Sequence, residues 1–300
     1  MSRSVLDRTT RSAELPPGFG TSWSLQRVSA LLVVLLVVAA GSGLFLPSYS
    51  AETPFARHGY RGADLVSVVL VVPLLGYSMW WARRGSARAQ LLWLGALGYI
   101  TYQYSYTFAY SWTRLFLVYL ALLSLSAFTL AAALTGLRAD DIAGRVDGHA
   151  PVRQTARFLT AVGVALGLME LVQIVPTVFT GDTPQLVLDT AHPTSPVYVL
   201  DLGFVVPLML LAGWWLRHDR PWGYVAAPIL LVKGVAVGAG LLAANLFAAL
   251  DDADTDGALN VLWAVVAVGS AAVLWRFLRH VDDGRLDQAA TSATPEARRG

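Results

Sequence analysis

The sequence predicts an all-α polytopic integral membrane protein of about eight transmembrane helices, and three observations carry that expectation. Hydrophobic residues make up 55% of the 300 residues and charged residues only 14%, whereas a soluble domain carries about a quarter charged residues. The apolar residues are gathered into runs of about 18 or more, the length at which a helix crosses the hydrocarbon core. Inside these runs lie a few ionisable residues, chief among them Lys233, the only lysine in the chain. At bilayer depth a lone charge costs roughly 3 kcal/mol or more, so each such residue asks for a partner in a folded interior.

The runs are, in order, Val28 to Leu46, Ala63 to Ala82, Ala89 to Tyr110, Leu115 to Leu137, Thr155 to Val178, Val197 to Leu216, Gly223 to Leu250 and Ala258 to Leu278. The first follows a basic segment and precedes Ser48-Tyr49-Ser50-Ala51, which has the small residues of a leader cleavage site. Its length exceeds the roughly 7 to 15 residues of a leader's apolar core, so an uncleaved first helix is expected. Positively charged loops stay cytoplasmic. Placing both termini inside puts Arg83, Arg84, Arg88, Arg138, Arg145, Arg153, Arg157, Arg217 and Arg220 there, and leaves Arg57, Arg61 and Arg114 outside. Trp80-Trp81 and Trp214-Trp215 stand just before inner arginines, where amphipathic rings favour the headgroup region. Residues 1–26 and 280–300 read as disordered cytoplasmic ends, with 27–137 and 155–279 as four-helix units and 138–154 as a cytoplasmic linker.

The two units repeat each other. At a shift of 134 residues Val71-Val72-Pro73-Leu74 falls on Val205-Val206-Pro207-Leu208, Trp80-Trp81 on Trp214-Trp215, Arg83 on Arg217 and His58 on His192. The bland account is shared apolar composition, but the Pro, Trp, Arg and His keep one register without a gap. A shift over four spans preserves orientation and gives a parallel four-plus-four repeat. In that register Tyr99 corresponds to Lys233, so the halves are expected to differ in function.

Composition also excludes chemistries. The isoelectric point near 9.0 reflects loop arginines, and no nucleic-acid-binding motif accompanies them, so nucleic acid is not an expected partner. Without cysteine there is no disulfide framework, iron–sulfur ligation or thiolate chemistry. Gly234, Gly238 and Gly240 lie within the seventh run and suit close helix packing rather than phosphate binding. No histidine occupies mid-membrane depth, and no cofactor is expected.

The candidate site is built from ionisable and tyrosine residues. Glu170 lies in the fifth run with Gln173 one turn later and Pro176 beyond, Asp201 just inside the sixth, and Lys233 in the middle of the seventh. A buried carboxyl and a buried ammonium that touch can share one proton, so Glu170 and Lys233 are the expected pair; a static staple is the alternative. Tyr99, Tyr102, Gln103, Tyr106 and Tyr110 form one stripe of the third run. Tyr99, Tyr102 and Gln103 are expected to line a polar path, and Tyr106, Tyr110 and Trp112 to form an interfacial belt. Asp64 is expected only to suit the start of its helix. His58, His192 and Asp189 on the outer loops make a weak zinc signal without tight spacing, and no metal is expected.

These residues favour a transporter of a small solute or ion, proton-coupled through Glu170 and Lys233, in the cell membrane. The bilayer is then its first partner, with a second copy or another membrane protein compatible. A membrane-embedded enzyme is the second reading, with Asp189 or Asp201 as base and His192 or His58 as acid or metal ligand, acting on a lipid or lipid-linked substrate at the outer face. A structural subunit of a membrane complex is the third. Because the chain lacks cysteine, single-cysteine labelling tests the orientation cleanly: T255C is expected to react from outside and S86C to be protected, and the reverse pattern overturns it.

Overall fold

The computed structural model describes residues 23–108 and 112–283 and is all-helical, with no strand among them. Helix α1 spans Trp23–Phe45; α2 (Pro54–Val66) and α3 (Val72–Ala82) form one continuous rod joined by the π turn Ser67–Val71. Helix α4 (Ala87–Tyr104) ends in a 3₁₀ turn at Ser105–Phe108, and α5 covers Phe116–Thr135. The short α6 (Ala139–Ala143) leads to α7 (Val152–Thr180) and α8 (Gln185–Thr190). A second rod is made of α9 (Pro196–Leu200), the π turn Asp201–Val205 and α10 (Val206–Arg217), followed by α11 (Pro221–Leu250) and α12 (Gly257–Leu278). Most of the two expected disordered ends, and Tyr110 of the expected aromatic belt, lie outside the described residues.

Among the described residues seven helices are long and apolar enough to cross a membrane, which makes this a helical multi-pass membrane protein. The expectation of eight apolar spans is corrected at the third. Helix α4 is only 18 residues long and is not among the seven. It carries Arg88, Gln90, Gln103 and several tyrosines because α3, α5 and α11 wrap it. A helix that faces protein is free of the hydropathy that lipid demands.

Helix α11 is the other central element. Of its most apolar stretch 61% is buried, against 17% to 33% for the other six apolar helices. It packs on α2, α4, α10 and α12. Small residues permit this: a Cβ on Gly62 of α2 would run into the α11 backbone at Gly240 and Ala244, and one on Gly238 would meet Ala267 of α12 at 2.9 Å from its nitrogen. Close approach through small residues is what holds helices together where lipid removes the hydrophobic drive.

Both rods break regularity at the same step. Val72 N–H donates to Ser67 O and Val206 N–H to Asp201 O, i to i+5 bonds that stand directly before Pro73 and Pro207. Proline lacks the N–H of the next α-helical rung, and the widened turn accommodates that loss. The π turns begin at 67 and 201, 134 residues apart. Where α4 crosses α11, a Cβ on Gly95 would meet Val232 at 2.7 Å and one on Gly98 would meet Ile229 at 3.1 Å. In the same register Gly95 corresponds to Ile229 and Gly98 to Val232, so the two contacts exchange into each other.

The ends of the bundle are tied differently. At the arginine-rich end Val146 pairs with Val281, Arg88 Nε donates to Val281 O at 2.7 Å, and His280 Nδ1 approaches Asp147 Oδ2 at 2.9 Å. The His280 hydrogen bond, with the His149 backbone N–H, holds the Asp147 carboxyl below its ordinary range. The glycine contacts make a direct test. Gly62→Ala forces backbone apart and is expected to lower stability by about 1–3 kcal/mol. Gly59→Ala on the same helix, with open space around it, is expected to be neutral or stabilising by up to about 1 kcal/mol. Thermal unfolding in detergent measures both, and equal effects would contradict the packing.

Candidate functional site

The first π residue of the second rod faces the central helix. Lys233 Nζ donates to Asp201 Oδ1 at 3.1 Å and sits 3.8 Å from the centroid of the Tyr102 ring. Both partners are almost enclosed, Lys233 at 7% and Asp201 at 4% exposure. Lys233 reaches from α11, Asp201 from the π turn and Tyr102 from α4, so three elements meet at one charge. The ring face adds cation–π attraction of about 2 kcal/mol where water is excluded.

Glu170 of α7 lies in electrostatic contact with both Asp201 and Lys233, but the hydrogen bond expected between Glu170 and Lys233 goes to Asp201 instead. The reason is packing: α10 lies along α7, and the π turn carries Asp201 to the near side of Lys233. Glu170 is 2% exposed, and its Oε2 has no hydrogen-bond partner among the described residues. Two carboxyls therefore face one ammonium in an enclosed interior.

Helix α4 extends the cluster. The Tyr102 and Tyr106 rings meet edge-on at 5.4 Å, and Tyr106 lies within electrostatic reach of Asp201, so Tyr106 turns inward rather than joining an interfacial belt. Trp112 is 82% exposed, as a belt residue would be. Tyr99 is fully enclosed and faces Ser67 of the first π turn. Gln103 is buried beside Tyr102. Gln173 stands apart on the exposed flank of α7, where its Oε1 accepts from Tyr198 Oη at 3.1 Å.

Asp64 does more than suit a helix start. It lies ten residues into α2, is 6% exposed, and accepts from Tyr49 Oη at 2.7 Å. The carboxyl presses against Gly43, where a Cβ would clash with it. Sequence reasoning passed over Ser67 and the role of Tyr49, and it placed Tyr106 at the interface. For Ser67 a signal existed, because the 134-residue register that matches Tyr99 to Lys233 also matches Ser67 to Asp201.

His58 and His192 do not converge. His58 Nε2 lies 2.8 Å from Asp251 Oδ2, and His192 Nε2 lies 3.1 Å from Glu52 Oε2. The His58 hydrogen bond draws the Asp251 carboxyl below its ordinary range. Asp189 is elsewhere engaged, its Oδ1 accepting from Gln185 at 2.7 Å and its carbonyl from Thr53 at 2.8 Å. No group of three or more His, Cys, Asp or Glu able to hold a metal occurs among the described residues. The base and acid that an outer-face enzyme requires are thus divided among separate pairs.

Comparison with protein-family models, curated proteins and solved structures finds no match.

The charge arrangement ranks the variants. Lys233→Met strands two carboxyls and is expected to cost about 3–5 kcal/mol, the penalty for breaking a buried pair. Asp201→Asn is expected to cost less, since Glu170 remains within reach of the ammonium. Replacing all three as Glu170→Gln, Asp201→Asn and Lys233→Met is expected to recover most of the loss, because apolar or neutral replacement of buried charge is often tolerated. Thermal unfolding of the purified variants measures the order, and a Lys233→Met protein as stable as wild type contradicts it.

Proposed function

We propose that this protein is a transporter of a small solute or ion in the cell membrane, with Glu170, Asp201 and Lys233 as a protonation switch, carried by two like four-helix halves. The observation that carries the reading is the enclosed set of two carboxyls against one ammonium, seated on a π turn. Intramembrane ionisable groups are expensive, and their default meaning is function. With all three groups charged the cluster holds one excess negative charge. One proton, or one cationic group of a solute, neutralises it. Proton and solute would then compete for the same excess charge, which is the minimal basis for coupling them. Tyr99, Tyr102 and Gln103 of α4 would line the path beside it, and Gln173 would stand near its α7 flank.

The duplicated plan supports the reading by its geometry. The paired π turns, the two prolines that follow them and the exchanging contacts Gly95–Val232 and Gly98–Ile229 all fit a two-fold relation in one register. Self-complementary exchange of contacts is the mark of a two-fold interface. Parallel repeats about an axis along the membrane normal are a transporter plan, with the site at the repeat interface. The cluster lies beside that interface on α11. With both termini inside, as the arginine distribution favours, the linked histidine loops would face outward. Π turns occur often at functional sites and give a helix a place to change register.

A thermal-shift screen of the full-length protein in detergent tests the reading, run with small solutes, monovalent and divalent ions at acidic and at alkaline pH. A ligand that binds only the native state raises apparent stability. The expected result is a shift in the wild type whose size depends on pH and which vanishes in the triple variant Glu170→Gln, Asp201→Asn, Lys233→Met. A ligand response undiminished in that variant overturns the assignment of the switch.

A further inference from the structure

Away from the central cluster, a groove of about 650 Å³ opens at the arginine-rich end, where the start of α6, the end of α10 and the start of α11 come together. Its walls include Trp214, Trp215 and Trp222, and its charged groups are Arg138, Arg220 and Asp140. Nearly every polar side chain there is a hydrogen-bond donor, since indole N–H and guanidinium groups accept nothing. None of the three indole N–H groups has an acceptor among the described residues. Arg220 makes no side-chain hydrogen bond or ion pair among them. Arg138 meets Asp141 only through Nε at 3.8 Å, which leaves its terminal amino groups open.

We propose that this groove binds the headgroup of an anionic phospholipid, with its phosphate between Arg138 and Arg220 and its glycerol backbone against the tryptophans. Donor-rich walls fit the unshared oxygens of a phosphodiester, and arginine matches them in planar, bidentate fashion. Indole rings favour the boundary between headgroup and acyl chain, which a soluble anion would not exploit. Basic pockets between transmembrane helices are where anionic headgroups bind. Asp140, the one acceptor side chain of the groove, suits a headgroup that carries its own hydroxyls, as phosphatidylglycerol does. The site joins the end of the first half to the second rod and α11, so an occupied groove braces the two halves at this end. The inference stands on the groove alone and does not require transport.

The test uses the full-length protein in an uncharged detergent, titrated with short-chain phosphatidylglycerol, phosphatidylcholine or inorganic phosphate while the melting temperature is followed. Phosphatidylglycerol is expected to raise it well above the effect of phosphatidylcholine, and phosphate alone to leave it unchanged. In Arg138→Gln/Arg220→Gln the phosphatidylglycerol shift is expected to fall by at least half, whereas Arg276→Gln, which removes a charge elsewhere at the same end, retains it. A full shift in the double variant, equal shifts with the two lipids, or an equal shift with inorganic phosphate overturns the proposal. If the double variant cannot be recovered folded, native mass spectrometry of Arg220→Gln decides: loss of bound phosphatidylglycerol relative to wild type supports the site, and unchanged binding overturns it.

Discussion

A lysine ammonium in the middle of an apolar helix has nowhere to go but into protein, and much of the bundle follows from enclosing it. Helix α11 is central because Lys233 cannot face hydrocarbon. Helix α4 crosses it with glycines at the contact, which lets Tyr102 come under the charge. The second rod bends through a π turn, and that turn delivers Asp201. Each of these features costs helix regularity or apolar surface, and each is matched to the one cation it surrounds.

Shifted back by 134 residues, the positions of Asp201 and Lys233 become those of Ser67 and Tyr99, which also lie against each other, Ser67 at the start of the first π turn. Buried hydroxyls cost less than buried charges, whereas an ion pair must be held in good geometry to repay its desolvation. Of the two contacts, the charged one is therefore the more exacting in its geometry. Asp64, bonded by Tyr49, adds a separate carboxyl to the first half at a different height on its rod.

The class, the run boundaries and the residues that belong inside were legible in the sequence, because each follows from a local rule about lipid and charge. Lys233, Glu170, Asp201, Tyr99 and Tyr102 all announce themselves as misfits among apolar neighbours. Partnership was less legible. Glu170 does lie in electrostatic contact with Lys233, but the direct hydrogen bond comes from Asp201, whose place near the start of its run gave no sign that it stands on a π turn facing α11. Asp64 was misjudged likewise, because the helix begins ten residues before it and not at it. Tyr106 was assigned to an interface from its distance along the chain, while the 3₁₀ turn that ends α4 directs it inward. The third run has the length and aliphatic residues of an apolar span, yet it lacks the hydropathy of the other seven because other helices wrap α4.

That last property bears on how the chain is made. A segment with an arginine, two glutamines and a row of tyrosines inserts poorly by its own hydrophobicity, because each polar group subtracts from the free energy that drives a helix out of the translocation pore. One of its three covers, α11, is synthesised more than a hundred residues later. Between those moments α4 depends on α3 and α5, its immediate neighbours in the chain, to hold it in place as a hairpin partner on either side. The central helix of the finished protein is thus the least self-sufficient during biogenesis, and the order of synthesis makes the first half wait for the second before its core is closed.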